Sequence, residues 1–388
     1  MSNWKLMDDS ITFMDRLKMA GFIMTADRLT NGERVRKFED EWNDWLGSKY
    51  SLFVSSGSTA NFLLIAAAKE LYGLKSGDKV LLPACTWMTN VAPIIQLGLT
   101  PIFCDINLHN FSFDIEQMEE IAKIHPDIKM IFVTHLLGFA ADNSTYRNIF
   151  PEAIILDDVC ESHGTQDENG VKVGAHSLGA TFSFYFGHHM TTIEGGMVST
   201  KDPELYDIMK MKRSHGLARE SVNFNWYADM YPNANKSFLF ITDGYNFRNH
   251  EVCAVLGSSQ LKRLSKNIDA RRRNYEVFHK IISKHSDKFY VPELRSGDSS
   301  FSFPLVSYEK EMRFRLQEEF NKHGIESRPI VGGNLLSQPF LKEYEMAILN
   351  SNSKVSLLDS NGVYIGNSQF VTRKNLELLS TILDDIKL

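Results

Sequence analysis

KVLLPA at residues 79–84, TPIFCDI at 100–106, KMIFVTH at 129–135 and AIILDD at 153–158 decide the fold of this 388-residue chain. Several of these short runs are apolar at consecutive positions, as strands covered on both faces are. ATFSFYF (180–186) and GGMVST (195–200) continue the series. Between the runs lie amphipathic segments such as TANFLLIAAAKELYG (59–73) and DIEQMEEIAKIH (114–125). The alternation predicts an α/β fold, a mostly parallel central sheet with crossover helices. In such sheets ligands sit beyond the carboxyl ends of the strands, so chemistry is to be sought just after each run.

Outward from this block the texture changes. From Glu251 to about His285 the pattern is helical. FSFPLVSYEKEMRFRLQEEFNKHGIESRPI (301–330) then reads as a strand, a helix and a glycine turn into an extended segment. The expected organisation is an N-terminal segment (1–30), a large domain (31–255), and a long linking helix with a smaller C-terminal α+β domain (256–388). The segment around Met19 to Leu29 is expected to join the ligand pocket.

Hydrophobic content of 43% and charged content of 23% are those of a soluble globular protein. A net charge of -6 argues against a nucleic-acid binder. It leaves an anionic substrate open, because a few placed arginines outweigh a mildly acidic surface. Cys85, Cys104, Cys160 and Cys253 are scattered without a CxxC pair, so no metal site is expected and a reducing cytoplasm fits. The N-terminus lacks the pattern of a signal peptide, and no apolar stretch is long enough for a bilayer.

Five segments carry candidate chemistry. VSSGSTAN (54–61) follows an apolar run and opens a helix, where small residues and free N–H groups suit a phosphate. Alone it would pass for an ordinary cap. AIILDDVCESHG (153–164) places carboxylates at a strand end, suited to a protonated ring nitrogen or simply to a turn. FSFYFGHHMTTIEGGMVST (182–200) carries adjacent histidines, which point in different directions and so make a poor metal pair. RSHGLAR (213–219) and DGYNFRNHE (243–251) carry arginines, the residue suited to bidentate recognition of phosphate or carboxylate.

Taken together these segments resemble the fold-type I, pyridoxal-phosphate-dependent sugar aminotransferase family. The resemblance runs from Asn31 to NGVYIGNSQ (361–369). In that family the block matching FSFYFGHH reads Ser-Phe, three residues, then Lys-Asn. Here Ser183 matches the serine, His188 falls on the cofactor-binding lysine and His189 on the asparagine. The branch with histidine at this place comprises 3-dehydratases of 4-keto-6-deoxy sugar nucleotides.

By matching position, the resemblance implies these roles. Gly57, Ser58 and Ser183 bind the cofactor phosphate, and Asn246 reaches it from the neighbouring subunit of a homodimer with shared sites. Asp158 pairs with the pyridine nitrogen, Glu161 lies close to the ring, and Trp87 stacks on it. His215, Arg219, Arg248 and Arg328 are candidates for substrate contact. The large domain would hold pyridoxal or pyridoxamine phosphate non-covalently, because histidine cannot bond it as lysine does. The implied substrate is a GDP-linked 4-keto-6-deoxy sugar, a hexose or a heptose, with L-glutamate restoring the cofactor's amino group.

His188, with an ordinary pKa near neutrality, suits the proton transfers that loss of the C3 hydroxyl requires. Three rivals remain: a sugar 4-aminotransferase, which needs the missing lysine; an iron–sulfur 3-dehydratase with a reductase partner, which needs clustered cysteines; and an inactive binding protein that kept the fold.

Overall fold

The computed structural model describes residues 4–342, 344 and 353–387. Seven strands alternate with helices through the first half: β1 (Tyr50–Val54), β2 (Lys79–Pro83), β3 (Thr100–Cys104), β4 (Met130–Thr134), β5 (Ile154–Asp158), β6 (Ala180–Ser183) and β7 (Gly196–Thr200). Among the described residues they form one seven-stranded sheet in the order β1-β7-β6-β5-β4-β2-β3. Strands β3, β2, β4, β5 and β6 run parallel. β7 is antiparallel to both of its neighbours, so β1 runs in the same direction as the parallel set. The α/β expectation, a mostly parallel sheet, is met. The near-continuous burial of these strands explains their consecutive apolar residues: both faces are covered by helices.

The helix Gly57–Leu71 lies on one face with Leu63, Leu64, Ile65 and its alanines buried. The helix Glu33–Leu46 covers another region, where Phe38 and Trp42 pack on Phe53, Phe182 and Phe184. The 32-residue helix Glu251–Ile282 runs from this layer to the second sheet. That sheet comprises β8 (Phe289–Tyr290), β9 (Ser302–Ser307), β10 (Ser327–Pro329) and β11 (Gly362–Gly366), antiparallel in the order β10-β11-β9-β8.

One apolar cluster contains Leu82 and Phe132 of the first sheet together with Phe303, Leu305 and Val363 of the second, so the two sheets share a core. The N-terminal residues are tied to the second sheet. Trp4 pairs with Ile325, and its Nε1 donates to the Gly366 carbonyl at 2.9 Å. The helix Phe13–Thr25 is anchored to the long helix where the Arg263 guanidinium meets the buried Asp15.

Candidate active site

Because β1, β2, β4, β5 and β6 share one direction, their carboxyl ends open on the same edge. A cavity of about 430 Å³ lies there. Each strand delivers a wall: Gly57 and Ser58 follow β1, Trp87 follows β2, His135 follows β4, Asp158 ends β5 and Ser183 ends β6. The second sheet closes the far side with Phe301, Arg328 and Tyr364.

Ser56 caps the helix Gly57–Leu71 in a reciprocal arrangement with Thr59, which fixes where the helix begins. Gly57 is then its first residue, with its N–H at the positive end of the helix. A Cβ placed on Gly57 would lie 2.6 Å from the Ser183 Cβ and 3.3 Å from the Cys160 Sγ. Only a bare backbone lets the helix end approach the strand end so closely, and this joins residues 126 positions apart into one cradle.

Asp158 is buried but its carboxylate is held from two sides: Oδ1 accepts from the Cys160 N–H at 2.9 Å, and Oδ2 from Asn61 Nδ2 at 3.3 Å. Asn61 in turn donates to Asn90 Oδ1 (2.6 Å), and Asn90 donates to Thr86 and Thr134 at 2.7 and 3.0 Å. This chain of fixed dipoles keeps the carboxylate aimed along the strand. Asp157, one residue earlier, points to the opposite face, where His135 Nε2 lies 3.3 Å away, as strand alternation requires.

Glu161 accepts from the Leu137 N–H at 3.0 Å. Leu137 presents that N–H from a left-handed backbone conformation (φ 54°), uncommon for a branched residue and typical of sites that hold a group in place. Burial pushes the Glu161 carboxyl up to about 7, and the Asp158 charge adds to the rise.

His188 is half-buried in the cavity wall. Its Nδ1 is enclosed with no hydrogen-bond partner, which leaves Nε2 as the ring nitrogen open to the cavity. Burial draws its pKa down to about 4, assisted by the Arg271 guanidinium, so the ring is neutral near pH 7. His189 turns away: it is fully buried, and its Nε2 lies 2.8 Å from the Ser299 carbonyl. Among the described residues no lysine lines the cavity.

Of the sequence-derived candidates, Gly57, Ser58, Trp87, Asp158, Glu161, Ser183, His188 and Arg328 line this one cavity. Arg328 and Tyr364 face each other across the β10–β11 pair. Asn246, His215, Arg219 and Arg248 do not line it. Three of them form a cluster of their own. Arg248 Nε donates to Asn246 Oδ1 at 3.0 Å, and its Nη2 lies 3.3 Å from His215 Nε2. His215 has a left-handed backbone (φ 68°). Arg219 is exposed and reaches the Ser237 carbonyl at 3.4 Å.

Sequence reasoning missed the supporting roles of Asn61 and Asn90. A polar residue inside the apolar run ANFLLIAAA was a visible signal for the first. It also missed Met7, Phe301 and Tyr364, for which no local pattern exists. Residues 19–29 contribute nothing to the cavity wall; the N-terminal segment reaches it through Met7.

Comparison with known proteins agrees with this geometry. Residues 14–355 match the family model described as the DegT/DnrJ/EryC1/StrS aminotransferase family. The chain is 36% identical over 372 residues to GDP-4-keto-6-deoxy-D-mannose 3-dehydratase of Yersinia pseudotuberculosis, covering 93% of both chains. Its structure is similar to that of the E. coli GDP-4-keto-6-deoxy-D-mannose-3-dehydratase with bound hydrated PLP. There the TM-score is 0.90 with 32% identity, covering 99% of this chain and 100% of the other. It is also similar to a GDP-4-keto-6-deoxymannose-3-dehydratase with a trapped PLP-glutamate geminal diamine. That match has a TM-score of 0.89 and 32% identity, with 98% and 100% covered.

Proposed function

Since the chain belongs to the DegT/DnrJ/EryC1/StrS aminotransferase family, we propose that its task is the dehydrating variant of that chemistry. It removes the C3 hydroxyl from a GDP-linked 4-keto-6-deoxy sugar. The products are a 3,6-dideoxy-4-keto sugar nucleotide and ammonia. Pyridoxamine phosphate is the cofactor, L-glutamate the amino donor, and no reductase takes part. The observation that carries this reading is His188 in a cavity wall without a lysine.

The residues present fit the cofactor. The cradle where a Cβ would collide with Ser183 suits a phosphate, held by the Gly57 and Ser58 backbone and the Ser183 hydroxyl. Asp158, fixed by Asn61 and the Cys160 N–H, suits a protonated ring nitrogen. Trp87, with more than half its surface exposed, offers a face for stacking. Bound there, the cofactor supplies an amine that couples to the sugar ketone and a ring that takes up electrons.

The rest is done by the chain itself. His188 enters neutral, accepts a proton at Nε2, and delivers it to the C3 oxygen, which departs as water. A ring held this far below its ordinary pKa gives its proton up readily once charged. Glu161, its carboxyl raised to about 7, is partly protonated beside Asp158 at neutral pH, which limits the negative charge around the ring nitrogen.

Asn246, His215, Arg219 and Arg248 are assigned to the neighbouring subunit's site in a homodimer. Two observations support this. None of the four lines its own chain's cavity, and they sit among chain segments carrying exposed Trp226, Tyr231, Phe238 and Phe240, an apolar surface that asks for a cover. The enzyme is assigned to the cytoplasm, in keeping with free thiols; no helix among the described residues is long and apolar enough to cross a membrane.

The test is chemical. Borohydride treatment of the purified holoprotein followed by intact mass should leave the polypeptide unlabelled, while adding L-glutamate changes the cofactor absorbance. A stoichiometric adduct on a lysine would return the chain to the aminotransferases, and a spectrum indifferent to glutamate would favour an inactive binding protein.

A further inference from the structure

On a second, narrow slot that His188 also borders lies a buried cation that the proposed reaction leaves unused. Arg271 sits midway along the long helix Glu251–Ile282 and is 4% exposed. Its Nη1 donates to the Phe301 carbonyl at 3.0 Å and to the Asn367 carbonyl, and its Nε has no partner. Among the described residues no carboxylate pairs with it. The acidic side chain that acts on it is Asp8, whose carboxylate instead accepts from the Ser368 hydroxyl at 2.6 Å. Burial lowers the guanidinium pKa to about 10, so it remains charged at neutral pH.

Such a residue is a costly cross-link. Burying a charge without a counter-charge is strongly unfavourable even when neutral dipoles surround it. Two backbone carbonyls could be bridged by an uncharged amide. The charge itself calls for a reason, and its position supplies one. Arg271 and His188 border the same narrow slot, closed by Met7, Asp8, Phe301 and Ser368. A Cβ on Gly187 would lie 2.3 Å from the Met7 Sδ, so the N-terminal segment lies directly on the turn that carries His188 and narrows the slot.

The other groups around the ring do not oppose this cation from the same side. His163 approaches with a centroid distance of 6.2 Å and, like His189, is kept well below its ordinary pKa, first by burial and then by neighbouring positive groups that include Arg271. Tyr185 meets the ring edge-on at 6.3 Å. His135, Asp158, Cys160, Glu161, Glu194, Arg328 and Tyr364 share the main cavity wall with His188 and do not line the slot. Asp8 is the one acid on the slot side, and its carboxylate is engaged with Ser368.

We propose that Arg271 is a positioning residue for His188: a fixed cation on the slot that both side chains border, adding to burial in holding the imidazole in its uncharged form before the reaction. The inference rests on the dehydratase reading for its consequence, though not for its electrostatics. A neutral ring can accept the proton from carbon. Once charged beside Arg271, it is driven to hand the same proton to the departing oxygen, so the cation keeps the ring unprotonated beforehand and favours the delivery half of the transfer.

The test is the pH dependence of kcat for wild type, Arg271→Met and Arg271→Lys. Arg271→Met removes the charge but fills similar space. The His188 pKa then rises, and the acidic limb of the profile moves to higher pH by about one unit or more. Arg271→Lys keeps the charge, so its limb stays near that of wild type even if the variant is less stable. A limb that stays fixed in Arg271→Met, with only stability reduced, would show a structural cross-link and overturn the proposal.

Should Arg271→Met fail to fold, Arg271→Gln takes its place, and histidine-labelled holoenzyme of wild type and variant is followed by nitrogen NMR, the His188 signals being assigned by their loss in His188→Asn. The account expects the His188 midpoint to be higher in Arg271→Gln than in wild type, and a midpoint that the substitution leaves unchanged, as burial alone would give, would overturn it. This second readout needs no turnover. A midpoint that rises in Arg271→Gln while wild type dehydrates no substrate would therefore count against the dehydratase reading and leave the role of Arg271 intact.

Discussion

Replacing Gly57 by alanine tests the phosphate cradle more sharply than removing a ligand would. The added Cβ would sit 2.6 Å from the Ser183 Cβ and 3.0 Å from its Oγ, well inside contact distance, and although the Oγ can rotate away the Cβ is fixed to the strand backbone. Gly57 is the first residue of its helix and adopts no left-handed conformation, so the cost is steric and local to the cradle. Overpacking of this kind costs about 1–3 kcal/mol. If the cradle relaxes only when cofactor leaves, the same energy appears as roughly 5- to 150-fold weaker cofactor binding. The assay is a titration of apoenzyme with pyridoxal phosphate, followed by absorbance. Ser183→Gly removes the colliding carbon, so in that background Gly57→Ala should weaken binding by only about twofold or less. Binding by Gly57→Ala within twofold of wild type, in the otherwise native protein, would refute the claim that this close approach shapes the phosphate site.

Other outcomes follow from the same geometry. His188→Asn keeps hydrogen-bonding capacity without exchangeable basicity, so dehydration should be lost while the cofactor spectrum is retained. His189→Asn should keep turnover per folded molecule within several-fold. It should lower stability by about 1–3 kcal/mol, because it disturbs the buried contact with the Ser299 carbonyl; an inactive but stable His189→Asn beside an active His188→Asn would mean the wrong histidine was chosen. Glu161 has its carboxyl raised from 4.5 to about 7, so the folded apoprotein holds a proton that the unfolded chain releases. Its contribution to stability is present below pH 4.5 and is lost as pH rises through 7. Glu161→Gln should therefore gain about 1–3 kcal/mol over wild type at pH 8 and much less at pH 4.5, measured by denaturant melts of apoprotein at both pH values.

The central strands were legible because burial on both faces leaves a signature in the chain itself. KVLLPA and AIILDD coincide with β2 and β5 to within a residue. The strand-end rule then pointed to the AIILDD segment, and the family resemblance singled out Asp158 and Ser183 without knowledge of their contacts. Three features were not legible, for physical reasons. The reversal of β7 depends on how the loop between Phe184 and Gly195 turns back, which periodicity does not record. The Asp158–Asn61–Asn90 network joins three elements through side-chain geometry alone. Arg219 and Arg248 sit outside the long helices and the sheets and Arg328 sits on the edge strand β10, so their residue type indicated anion recognition but not which cavity they serve. Here their own chain's cavity receives Arg328 alone among them.

The central claim is that nitrogen enters from glutamate and leaves as ammonia while oxygen leaves C3 as water. The most direct measurement is a stoichiometric assay with holoenzyme, a GDP-linked 4-keto-6-deoxy sugar and L-glutamate, without reductase, with products followed by mass spectrometry. The account predicts one 3-deoxy-4-keto sugar nucleotide, one 2-oxoglutarate and one ammonia per turnover. Accumulation of a 4-amino sugar, or no turnover until a reductase and reduced nicotinamide are supplied, would contradict it.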